Sequence, residues 1–106
     1  MANTFKNYGA QAVGTSPVTI VTASTSTTVI GLTIANIVTS TITTSITVTS
    51  GAATYYLVKD AVVPVGGALV PIGGDQKLVL ETGDLLRVVT SVASSADVIC
   101  SVLEIS

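Results

Sequence analysis

The 106-residue chain predicts an all-β fold: an antiparallel β-sandwich or jelly-roll-like single domain of about eight strands. Three observations carry this expectation. Val, Ile and Thr recur from end to end, the residue types that suit a pleated, half-buried surface. Apolar and hydroxyl residues alternate in short runs, with no segment showing a 3.6-residue period. Turn signals interrupt these runs at roughly the eight-to-twelve-residue spacing of sandwiches and barrels.

Residues 1–16 differ from the rest and are read separately from the sandwich domain at 17–106. They place Asn3, Lys6, Asn7 and Gln11 around Phe5, Tyr8 and Val13, with Gly9 and Gly14 as flexible points. Such a segment is a frayed terminus or an extra edge strand. Alternatively it is an arm that reaches a neighbour through Phe5 and Tyr8 and is removable without loss of the fold.

Val18–Thr22 follows Pro17 and reads as the first strand of the domain. Val29–Val38 is a longer one, with Ile30, Leu32 and Ile34 expected on one face. Ile42–Thr49 alternates: Ile42, Ile46 and Val48 point one way and Thr43, Ser45, Thr47 and Thr49 the other, the pattern of a half-buried strand with a hydroxyl-coated outer face. Ser50-Gly51 is a turn, and Thr54–Ala61 starts the next strand. Pro64 and Gly66-Gly67 predict a corner or bulge.

Leu69–Ile72 is a short strand, at an edge because Pro71 donates no backbone hydrogen bond. Gly73-Gly74-Asp75 is a turn. Lys77–Leu80 and Asp84–Val92 flank Glu81-Thr82-Gly83, where Gly83 supplies positive φ. Asp97–Ile105 is the last strand. Val29–Val38 and Val98–Ile105 are apolar on both faces, which points to burial between subunits or to central strands covered by loops.

Composition narrows the function. Charged residues make up 9% of the chain, against about 25% in typical globular domains. Hydrophobic residues reach 48%, yet aromatics only 4%, and the net charge is -2. Little electrostatic repulsion keeps such molecules apart, so a surface meant to be covered by neighbours is expected. Four basic residues make no nucleic-acid groove. No apolar run is long enough for a membrane helix, and Met1–Gly9 lacks the form of a secretory signal.

The stock of catalytic groups is nearly empty. With no histidine and one cysteine, Cys100, conventional zinc sites and the common triads are excluded. Cys100 lies in an apolar run and reads as a buried, inert thiol. Asp75, Glu81 and Asp84 hold oxygen ligands suited to Ca²⁺ but lack the loop spacing, so Glu81 and Asp84 read as caps of a hairpin. Gly66-Gly67 and Gly73-Gly74 have no following helix or Lys-Ser/Thr to cradle phosphate. No catalytic residue, cofactor or metal site is expected.

Adjacent strand residues face opposite ways, so Lys59 and Asp60 read as solvated, as members of cross-strand ion pairs, or as an interfacial contact involving Arg87. By the same alternation, at most one of Tyr55 and Tyr56 faces outward, which counts against stacking on sugars. The candidates for partner contact are Phe5, Lys6 and Tyr8 near the N-terminus, Tyr55 and Lys59 in the fourth strand, and Arg87 in the seventh.

Met1–Gly9 (MANTFKNYG), Tyr55–Leu57, Lys59-Asp60, Val63–Val65, Leu78–Asp84 (LVLETGD) and Ser101–Ile105 (SVLEI) together resemble a group of small virion proteins of tailed bacteriophages, of the marine and cyanobacterial type. The likeness spans most of the chain, though its motifs are turns and strands, and Thr22–Ser50 is richer in Thr than the pattern. It implies a non-enzymatic structural protein, foremost a capsid decoration (cement) protein that bridges major capsid subunits. A tail, neck or fibre subunit is the alternative, and a glycan- or receptor-binding module is a third reading. It further implies assembly in the host cytoplasm, a place in the virion, a homotrimer or other homo-oligomer, and partners among virion proteins rather than nucleic acid or membrane.

Overall fold

A computed structural model of the chain describes residues 3–72 and 77–105. Its elements are β1 (Asn3–Val13), β2 (Val18–Thr22), β3 (Ser26–Asn36), β4 (Ile42–Ser50), β5 (Ala53–Val63), β6 (Ala68–Ile72), β7 (Leu78–Leu80), β8 (Leu85–Thr90) and β9 (Ala96–Ile105). The all-β fold expected from the sequence is present, and its eight anticipated strands correspond to β2–β9. The turn expected at Gly73-Gly74-Asp75 lies outside the described residues.

The strands form two antiparallel sheets. One runs β1-β9-β3-β6, with β7 also paired to β3; the other runs β2-β8-β4-β5. Strands pair from the ends of the chain toward its middle: β1 with β9, β2 with β8, β3 with β6, β4 with β5. A long hairpin folded over itself in this way, with successive ribbons assigned to alternate sheets, is a jelly roll. β6 and β7 lie along β3 at Leu32–Ala35 and Thr27–Val29 respectively, an edge interrupted after Ile72. Pro71 therefore sits on an edge, where a missing donor is tolerated.

The core lies between the sheets. Val29, Leu32 and Ile34 of β3 and Cys100 and Val102 of β9 face Ile42 and Ile46 of β4 and Leu86 and Val88 of β8, all fully buried. Ile30 departs from the expected face. The β3–β9 register skips between Val29 and Gly31, so Ile30 is the extra residue of a bulge and points outward, while Val29 takes the core position. Strict alternation read over a bulge assigns the wrong face to every residue before it.

Buried polar groups close the ends of the sandwich. Asn36, at the end of β3, donates from Nδ2 to the carbonyls of Ser40 (2.9 Å), Val63 (3.1 Å) and Pro64 (3.2 Å), and its Oδ1 accepts from Val38 N (2.9 Å). One side chain thus satisfies the backbone where three segments meet, as buried carbonyls require. The Thr90 and Ser95 hydroxyls lie 2.7 Å apart and both reach the carbonyl of Val13. Gly83 (φ 95°) makes the turn before β8, as its position in the sequence predicted.

β5 differs most from expectation. Its pairing with β4 breaks around Ile46, which places Leu57 in one bulge and Lys59-Asp60 in another. Asp60 takes φ 52°, and its backbone N donates to Ser45 Oγ (3.0 Å). These kinks inside β5 were not expected, whereas the corner expected at Pro64 and Gly66-Gly67 is present as a turn closed by Gly67 N to Pro64 O (3.0 Å).

Candidate functional site

The candidate contact residues fall in three places. Phe5, Lys6 and Tyr8 lie on β1, the edge of the first sheet; Tyr55 and Lys59 lie on β5, the edge of the second; Arg87 lies on β8. They do not form a single site.

On β1 the alternation separates two surfaces. Lys6 and Tyr8 pair in register with Val102 and Cys100 and so share their core-facing side, while Phe5 and Asn7 point outward with Leu103 and Ser101. At the end of the core-facing side Glu104 collects two donors: Lys6 Nζ at 3.4 Å and the Tyr8 hydroxyl. The Tyr8 hydrogen bond, partly opposed by desolvation and then reinforced by Lys6, holds the Glu104 carboxyl below its ordinary value. The same bond, with burial and the carboxylate charge, raises Tyr8. Sequence inspection missed Glu104; the signal was a charged residue in the inward phase of an otherwise apolar strand.

The outer face of the first sheet carries exposed apolar side chains among polar ones. Phe5, Leu103, Thr28 and Val79 follow one another in register across β1, β9, β3 and β7. Phe5 is 72% exposed, Val79 65% and Ile99 53%. Two open hollows of about 320 Å³ indent this face. One lies between Phe5, Asn7, Ile30 and Ser101. The other lies where Gly9 supplies no side chain, bordered by Gln11, Thr33, Ala35 and Ile99. On this outer face β3 places Thr28 and Thr33 beside Ile30 and Ala35, and β9 places Asp97 and Ser101 beside Ile99 and Leu103, so the faces expected to be apolar on both sides are mixed on the outer one.

At the β4–β5 hairpin both Tyr55 (61%) and Tyr56 (57%) are exposed. The expected alternation holds, with Tyr56 on the outer face, but Tyr55, opposite Val48, is exposed as well because it points from the inner side of an edge strand that is itself largely exposed. Lys59 Nζ lies 5.3 Å from the centre of the Tyr56 ring, within cation–π range. Arg87 Nε donates to Thr19 Oγ1 (3.2 Å), in a row that runs Thr19, Arg87, Thr47, Tyr56 across the second sheet. Asp60 is held by Ser45, whose Oγ donates to its carboxylate at 3.3 Å.

Burial pushes the Cys100 thiol up to about 11, so it stays protonated at neutral pH. Asp84 accepts from the backbone N of Glu81 (2.9 Å) and thereby caps its own turn; Asp75 lies outside the described residues. Among the described residues no three His, Cys, Asp or Glu side chains converge as a metal site, and no helix is long and apolar enough to cross a membrane.

Comparison with family models, with curated proteins and with solved structures finds no match to this chain.

Proposed function

We propose that this chain is a non-enzymatic structural protein of a bacteriophage virion, foremost a capsid decoration protein that bridges major capsid subunits. The observation that supports the reading is the exposed apolar surface. Phe5, Val79 and Ile99 stand open on one sheet and Tyr55, Tyr56 and Val62 on the edge of the other, in a chain with 9% charged residues. A protein that works alone in water rarely leaves this much apolar surface uncovered. In a symmetric shell each contact can be modest, because many copies act together. The tail, neck or fibre placement uses the same surfaces.

Cosedimentation of purified protein with phage heads that lack it tests the reading. Saturable binding that Phe5→Ala weakens more than Lys59→Ala supports it, since buried aromatic anchors outweigh rim charges. No binding to heads removes the decoration role.

One observation favours a second reading. Tyr56 is exposed on the face that carries the paired hydroxyls of Thr49 and Thr54, 3.1 Å apart. Aromatic rings next to hydroxyls suit a sugar. Glycan binding lost in Tyr56→Ala, with no head binding, supports that module instead.

A further inference from the structure

The four sheet edges are not alike. β5 carries register breaks on either side of Ile46, β2 breaks between Thr19 and Val21, β6 between Leu32 and Ile34, and β7 has three residues. Bulges and shortness blunt an edge against pairing with another chain. β1 is regular from Asn3 to Ala10, pairing residue by residue with Ile105 to Val98, and breaks only beyond Ala10. Its other side is an open ladder.

That ladder carries a projection and a matching gap. Phe5 projects from the outer face at 72% exposure, and four residues along the same face Gly9 floors a hollow of about 320 Å³ beside Ile99. Two copies of β1 paired antiparallel about a two-fold at Asn7 place Phe5 of each opposite Gly9 of the other. An aromatic side chain laid over a cross-strand glycine is a known stabilising device in sheets. The same register sets Lys6 opposite the second copy's Tyr8, and therefore next to the Tyr8–Glu104 pair, so that cations and carboxylates alternate across the axis. A two-fold at Lys6 opposes like charges, and one at Phe5 leaves both hollows empty.

We propose that the β1 edge pairs with the β1 edge of a second copy, antiparallel about a two-fold at Asn7, with each Phe5 seated in the other's Gly9 hollow. The result is an isologous dimer in which the two β1-β9-β3-β6 sheets become one. This goes beyond the virion reading and does not depend on it, because the purified chain alone decides it.

Two measurements test the dimer together. Opposed residues of an antiparallel pair lie about 4.5–5.5 Å apart at Cα, within disulfide reach. Oxidised Asn7→Cys protein is expected to run as a covalent dimer, and Thr54→Cys on the distant hairpin is not. Light scattering across a concentration series is expected to show a dimer whose dissociation constant rises about thirtyfold or more in Phe5→Glu, with the β circular dichroism unchanged. A monomeric or trimeric wild type, no Asn7→Cys cross-link, or a Phe5→Glu dimer of unchanged affinity each overturns the proposal.

Discussion

The Tyr8 hydroxyl donates to the carboxylate of Glu104, 96 positions away, and so joins the first strand of the sandwich to the last. Lys6 completes the cluster from the same strand as Tyr8. β1 and β9 are thereby fastened where the folded hairpin closes on itself.

This contact makes part of the stability pH-dependent. Glu104 is held below its ordinary 4.5, so the folded state binds its proton less tightly than the unfolded one. The stabilisation is present above the unfolded value and is lost as pH falls through the lowered folded value. Carboxylate NMR is expected to show Glu104 titrating below the ordinary Glu range, and Tyr8→Phe is expected to move it back up. Titration of the wild type at 4.5 contradicts the contact.

Asn36 is expected to be the most sensitive polar position. Asn36→Ala removes the side-chain donor to the carbonyls of Ser40, Val63 and Pro64, of which Pro64 keeps Gly67 N, and destabilises the fold by about 2–3 kcal/mol in urea denaturation. Asn36→Asp at neutral pH is worse, since a carboxylate oxygen then faces three carbonyl oxygens. Equal losses in the two variants contradict this account of the amide.

Removal of residues 3–13 is expected to unfold the chain rather than trim an arm. β1 pairs with β9 from Asn3 to Ala10 and again at Val13, and Val13 is buried in the core. Its deletion turns β9 into an exposed edge. Loss of the cooperative thermal transition is the expected result; a truncated chain that melts like the full one contradicts it.

Much of this fold was legible in the sequence, because alternation and turn chemistry are local. β2 and β4 begin where Pro17 and the Ile42 alternation place them, and Gly83 and Pro71 occupy the positions their backbone limits require. Bulges were not legible. Ile30 was assigned to the core face because nothing nearby shows that one extra residue sits opposite β9. That Tyr55 and Tyr56 are both exposed was not legible because the local pattern does not reveal that their strand lies at an edge. The Tyr8–Glu104 contact depends on pairing between the two ends of the chain, which no local pattern encodes. Phe5, Lys6, Tyr8, Tyr55, Lys59 and Arg87 were recognisable one by one, but their division among three surfaces follows from the jelly-roll order.

The most direct test of the virion reading is the copy number of this chain relative to the major capsid protein, by quantitative mass spectrometry of purified phage particles. A near-stoichiometric amount is the result predicted for a decoration protein, and a handful of copies per particle moves it to the tail or neck. Its absence from the particle contradicts the account.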